Sequence, residues 1–261
     1  MIRARIGDAV IAVADDPCLE SFLAFMGSAA ALSRARPGEP LINLDIGGGT
    51  SNLALGCDGE VLLTGSLFVG ARHVEVDPGS LRIRRLSDHA AQLFGSLGIT
   101  ARPGDSLTPA ELNALLDVHI ALLEAAVTGR QEAFERTPGR ALVDAPFRLP
   151  ATITAPWLTL SGGVGALVYA RLEGQPPPPM TAFGDLGIEL AARIAASPVL
   201  TARLLTPAST ARATSFGLLR HLTRLSGSTL YLPHPELLPL TDLPIFGRIT
   251  ATSTPDDLHT A

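Results

Sequence analysis

The chain has 261 residues, 46% of them hydrophobic, enough for one large domain or two small ones. Its net charge of −5 gives no electrostatic basis for binding nucleic acid or an anionic membrane. Two cysteines, Cys18 and Cys57, make neither a disulfide framework nor a metal cluster, and the cytoplasm is the expected compartment.

Residues 1–14 are too short and too quickly acidic (Asp8, then Asp15 and Asp16) for a secretion signal, and Ala9 to Ala14 reads as a short strand. Asp16-Pro17 starts a helix, with Asp as the cap and Pro at the first position, running to about Arg34. The apolar part of residues 21–32 falls short of the roughly 20 residues that span a bilayer, so the chain is read as soluble. Gly27, Ser28, Ala29 and Ala30 allow that helix to pack closely on a neighbour, and Arg36 to Pro40 is a loop.

The most informative stretch follows, Leu41-Ile-Asn-Leu-Asp-Ile-Gly-Gly-Gly-Thr-Ser-Asn-Leu-Ala-Leu55. An apolar run delivers Asp45, then come Gly47, Gly48 and Gly49, then Thr50 and Asn52, then a second apolar run. Asp58-Gly59 is a two-residue hairpin signal, and Val61 to Val69 is a third apolar stretch. The pattern is strand, glycine turn, strand, tight turn, strand. A dinucleotide fingerprint needs its glycines before a helix, and a P-loop needs a lysine, which this chain lacks altogether. What remains is a hairpin whose bare N–H groups can cradle phosphate oxygens. Asp45 would hold Mg²⁺ through its water shell, and the Thr50 hydroxyl would donate to a phosphate. A glycine-rich turn with no ligand fits the three glycines equally well.

Next come Phe68 to Arg72, where Ala71 would be strained if its φ were positive. Asp77-Pro78-Gly79 is a turn, and Leu81 to Ile83 alternates like an edge strand. Ser87 to about Leu97 is a short helix. Thr108-Pro109-Ala110-Glu111 is a capping box opening a helix to about Thr128, with Gly129 as its stop. Its apolar stripe is Leu112, Leu115, Leu116, Ile120 and Leu123, and His119 is read as a partly exposed structural residue. His73, His89, His221 and His234 are read as unclustered. Residues 130–150 read as loop.

Trp157 to Leu160 is a buried strand leading into Ser161-Gly162-Gly163-Val164, with a helix from Ala166 to Leu172. Strand, glycine turn and helix put N–H groups at a helix N-terminus, either as an anion site or as an ordinary connection. Gly174 to Pro179 carries four prolines and is a stiff surface spacer. Asp185 precedes a helix over 188–196, which it caps, or it faces a ligand. Arg212 is a candidate anion contact, Ser226 to Ser228 a polar turn, and residues 251–261 a frayed tail.

Asp45-Ile-Gly-Gly-Gly-Thr50 resembles the second phosphate motif of the actin, Hsp70 and sugar-kinase superfamily. Further stretches resemble one family within it, the ethanolamine ammonia-lyase reactivating factors (EutA family). They are Pro17 to Ser21, Phe68 to Arg72, Phe183 to Gly187, Thr210 to Thr214, Leu225 to Leu230 and Pro239 to Ile245. Together they span most of the chain from Pro17 to Phe246. The resemblance implies an α/β fold: a ribonuclease H-like, actin-type ATPase lobe of mixed sheet and flanking helices over 41–250. Residues 1–36 would be a remnant of the first lobe, and 251–261 the tail. No second Asp-x-Gly-Thr hairpin is present, so the match is to the family's C-terminal portion, with ATP binding and hydrolysis expected to suffer.

The same resemblance implies a chaperone-like factor that uses ATP and Mg²⁺ to release damaged cobalamin from ethanolamine ammonia-lyase, its partner. The adenosylcobalamin belongs to that lyase. Asp45 would be the catalytic and metal-organising carboxylate. Gly47, Gly48, Gly49, Thr50 and Asn52 would hold phosphates, and Ser161, Gly162, Gly163 and Asp185 would meet the nucleoside. A homodimer and association with an ethanolamine-utilisation microcompartment are further expectations, with no nucleic acid or membrane partner. The alternatives are a sugar-kinase-like phosphotransferase and a nucleotide-independent interaction protein.

Overall fold

Asp16 starts the first helix as expected, its carboxylate accepting from the Cys18 N–H at 2.8 Å. The helix comes in two pieces, α1 (Pro17–Ser28) and α2 (Ala30–Arg34), separated at Ala29. The computed structural model describes residues 16–207, all within one unit spanning Asp15–Ser228. The strand expected at 9–14, the stretches at 210–214, 225–230 and 239–245, His221, His234 and the tail lie outside the described residues.

The meander forms as β1 (Leu41–Ile46), β2 (Ser51–Cys57) and β3 (Glu60–Leu67), each antiparallel to the next. Asp58 (φ 55°) and Gly59 (φ 81°) make the left-handed turn that the Asp-Gly pair favours. Two more strands, β6 (Val143–Ala145) and β7 (Trp157–Ser161), complete a sheet of order β6-β3-β2-β1-β7, with β7 parallel to β1. A mixed sheet with flanking helices is what the resemblance implies. Residues 130–150, expected as loop, hold α5 (Glu132–Glu135), a 3-10 turn (Gly139–Leu142) and the edge strand β6. Three residues are too short a run to show period-two alternation, so β6 leaves no signal in the sequence.

Strand β1 is central, and its alternation separates two environments. Ile42, Leu44 and Ile46 enter the main core. Leu41, Asn43 and Asp45 take the other face, where Leu41 packs with Phe25, Ala29 and Ala30 from the α1–α2 side. The Ser21 hydroxyl of α1 reaches the Gly65 carbonyl of β3 (2.9 Å). The main core continues into a two-stranded ribbon, β4 (Val74–Val76) and β5 (Ile83–Leu86), and the helices α3 (Asp88–Leu97) and α4 (Pro109–Thr128). The expected strand at 81–83 therefore starts two residues later. The capping box at Thr108 and Glu111 forms, and Gly129 (φ 73°) ends α4.

Helix α6 (Gly162–Leu172) begins four residues earlier than the sequence suggested, because the connection from β7 is immediate. It is followed by α7 (Gly187–Ala196) and the single turn α8 (Pro198–Thr201). The buried Tyr169 hydroxyl accepts from Leu160 N–H (2.9 Å) and donates to the Leu205 carbonyl (2.7 Å), joining α6, β7 and the segment beyond α8. Burial pushes the Tyr169 pKa up to about 12, so the phenol stays a donor at any physiological pH.

Candidate functional site

Parallel pairing sets Leu41 opposite Trp157, Asn43 opposite Thr159 and Asp45 opposite Ser161. Side chains two apart on a strand share a face, so a polar file runs beneath α1. Thr159 Oγ1 donates to Asn43 Oδ1 (3.0 Å), Asn43 Nδ2 donates to Ser161 Oγ (3.1 Å), and Ser161 Oγ donates to Asp45 Oδ1 (2.7 Å). Asn43, Thr159 and Ser161 are fully buried, whereas Asp45 is half-buried at the end of the file. Buried polar groups are expensive unless satisfied, and here each hands a hydrogen bond to the next until the carboxylate is reached. Ser161, expected at the nucleoside, is a hydrogen-bond partner of Asp45. Asn52, expected at phosphate, donates to Glu20 of α1 (2.9 Å) and accepts from Ser66 (2.9 Å).

The glycine turn between β1 and β2 closes with Gly47 N–H donating to the Thr50 carbonyl (2.9 Å). Residues 70–73 strap it. Ala71 N–H donates to the Gly47 carbonyl (3.1 Å) and Arg72 N–H to the Gly48 carbonyl (2.6 Å). Gly70 is required by that approach, since a Cβ there would lie 2.5 Å from the Gly48 oxygen. Among the described residues Asp58 is the only non-glycine with positive φ, so Ala71 carries no such strain. On the other side, Gly162 (φ 79°) faces the Ile46 carbonyl, where a Cβ would approach to 2.5 Å. Gly49 and Gly163 face open space.

A cavity of about 530 Å³ lies beside the turn. Gly47, Gly48, Gly163 and Asp185 line it, with Arg72 and Phe183. Of the predicted site residues, these four are thus brought together, whereas Asp45, Gly49, Thr50, Asn52, Ser161 and Gly162 do not line it. Asp185 is buried and lines the cavity, and its Oδ1 accepts from the N–H of Gly187 (3.0 Å), the first residue of α7, whose N-cap position is Leu186. Its Oδ2 accepts from Arg72 Nε (3.2 Å).

Two of the histidines read as unclustered, His73 and His89, lie close together with His119. His73 and His89 ring centres lie 5.8 Å apart, His73 and His119 6.5 Å, and His89 stacks on Phe68 at 3.6 Å. The ribbon approach, α3 and α4 each contribute one, so spacing along the chain could not reveal it. His119 is buried rather than partly exposed. The Gly49 carbonyl can only accept, so His73 Nε2–H donates to it (2.6 Å) and His73 Nδ1 accepts from the Ser87 hydroxyl (2.7 Å). Ser87 also caps α3 by accepting from Ala90 N–H (3.1 Å). Burial holds the His73 pKa below its usual value, against the pull of the Gly49 carbonyl. Among the described residues no group of His, Cys, Asp and Glu is arranged to hold a metal by itself, and no helix is long and apolar enough to cross a membrane.

The family model described as ethanolamine utilisation protein EutA matches residues 1–260. The chain is 36% identical over 256 residues to the ethanolamine ammonia-lyase reactivase EutA of Salmonella typhimurium, and 34% over 259 residues to that of Escherichia coli K12. Each match covers 94% of this chain and 50% of the relative, so the chain spans about half the length of these curated proteins. Among solved structures, an exopolyphosphatase-like protein superposes with a TM-score of 0.44 at 15% identity, covering 86% of this chain and 70% of that one. The family match over nearly the whole sequence, with two relatives above 30% identity, places the chain in the EutA family of ethanolamine utilisation proteins.

Proposed function

We propose that this lobe binds Mg²⁺-ATP and serves the reactivation of ethanolamine ammonia-lyase, in which damaged cobalamin is released. The names of the relatives support the reactivating role. The observation that carries the nucleotide reading is the cavity itself. Gly47 and Gly48 from the turn after β1 and Gly163 from a turn more than a hundred residues later line the same space.

The residues present fit a metal–polyphosphate. Gly163 leaves room at the cavity for close approach of a ligand to the backbone, and Gly49, outside its lining, also faces open space. Helix α6 starts with no side-chain cap on its first N–H groups, which leaves them for an anion. Asp45 keeps its carboxylate at the sheet end, oriented by Ser161, where it would hold the water shell of Mg²⁺. When bound, that ion would offset phosphate charge. The chain's own residues would orient the phosphate chain and keep the nucleoside against Val164, Leu167 and Phe183. Nucleotide state would then bias lobe closure, and one closure state would bind the lyase in its cofactor-releasing form.

Calorimetry with Mg²⁺-ATP on the 261-residue chain tests the reading. Binding is expected, and Asp45→Ala should weaken it about tenfold or more, through loss of the metal-holding carboxylate. A chain that associates with the lyase but takes up no nucleotide would sink the nucleotide reading and leave an interaction protein. Given binding, ATP-dependent rescue of cobalamin-inactivated lyase tests the rest.

A further inference from the structure

Arg72 is exposed along most of its side chain (65%), yet it is fixed at three points. Its N–H donates to the Gly48 carbonyl. Its stem lies over the phosphate turn, so that a Cβ on Gly48 would meet Arg72 Cδ at 3.1 Å. Its Nε is held by Asp185. A surface arginine gains little from an ion pair in water and normally samples many rotamers. Here the partner carboxylate is buried and itself anchored by Gly187 N–H, so the pair is built from the inside. Anchoring through Nε leaves the two Nη groups on the outer edge of the guanidinium. Arg72 and Asp185 are also the two charged residues lining the cavity. With Asp185 alone its wall would repel an anion; with Arg72 across it, the fork meets the same space as Gly47 and Gly48.

We propose that Arg72 is a phosphate-binding residue whose Nη groups donate to the phosphate chain of a nucleoside polyphosphate seated against Gly47 and Gly48, with Asp185 as the positioning residue that holds Nε. The planar fork matches two phosphate oxygens at once, which a lysine cannot do. The assignment rests on the nucleotide reading above for the nucleoside, but its own chemistry is that of a polyphosphate anion.

The test is calorimetry on the full chain and its variants with four probes: Mg²⁺-ATP, AMP, adenosine and inorganic pyrophosphate. Arg72→Ala should weaken Mg²⁺-ATP and pyrophosphate about tenfold or more, AMP less, and leave adenosine within about twofold, as expected for a lost charge-assisted bond. Arg72→Lys should recover only part of the loss. Asp185→Asn should weaken the polyphosphates but not adenosine, and add nothing further once Arg72 is alanine, which a purely structural role would not reproduce. Urea unfolding midpoints report on folding, and if Arg72→Ala does not fold, Arg72→Lys and Arg72→Gln carry the test. The proposal falls if Arg72→Ala leaves Mg²⁺-ATP and pyrophosphate unchanged, or if adenosine falls equally. Mg²⁺-ATP binding that ignores Arg72 overturns this assignment and leaves the nucleotide reading intact. Pyrophosphate binding that needs Arg72, without affinity for ATP or adenosine, does the reverse. A wild-type chain that binds none of the probes overturns both.

Discussion

His119 is a buried imidazole whose Nδ1 has no hydrogen-bond partner among the described residues. Burial, reinforced by His73 nearby, pushes its pKa from the ordinary 6.5 down to about 3. Between those values the unfolded chain takes up a proton that the folded chain refuses. Stability is therefore complete above about pH 6.5 and falls as pH drops toward 3, by about 1.4 kcal/mol per pH unit for one such group. His119→Leu should flatten the dependence of the urea midpoint on pH between 6.5 and 4, and an unchanged slope would rule out His119 as its source. At pH 7.5 the variant should unfold at an equal or higher midpoint, because it removes an unpaired buried polar atom. At this scale Asp45 was legible from its glycines, and Asn43 could have been found from alternation, since it shares Asp45's face of β1. Arg72 and the three histidines were not legible, because their partners lie far along the chain.

The connection from β7 to α6 depends on one glycine more than its neighbour. Gly162 needs both a positive φ and the absence of a Cβ against Ile46, whereas Gly163 has open space. Gly162→Ala should cost about 2–4 kcal/mol in equilibrium unfolding, combining backbone strain with a steric clash. Gly163→Ala should cost less than about 0.5 kcal/mol, alanine being the better helix former. Its added methyl would intrude where Gly163 lines the cavity, so nucleotide affinity should fall even though stability does not. Equal destabilisation by both would refute this division of labour. The turn itself was legible as a glycine pair between strand and helix. The start of α6 was not, because Gly-Gly-Val-Gly has weak helical propensity and its place in the helix depends on tertiary packing against β1, β7 and α7. The α4 boundaries were read correctly because the capping box and the closing glycine are local signals.

Among the described residues, the centre of the sheet is where burial is most complete. Leu44 of β1 and Leu160 of β7 are paired in register and fully buried, whereas Leu62 of β3 is 61% exposed. Leu44→Ala should cost about 3 kcal/mol by loss of buried area and cavity formation, and Leu62→Ala no more than about 0.5 kcal/mol, measured by urea unfolding. A comparable loss at both positions would contradict the burial seen here. The meander was legible because its turns are short. The β1–β7 pairing was not legible, since no local signal links residues so far apart. That separation has a consequence for biosynthesis. Asp45 and Ser161, joined by one hydrogen bond, are 116 residues apart in the chain. A ribosome adding about 5–20 residues per second releases the meander on the order of ten seconds before the strand that completes its centre. During that interval one edge of β1 lacks the partner strand it has in the folded sheet, the state in which a nascent chain invites a chaperone or pairs wrongly with another copy.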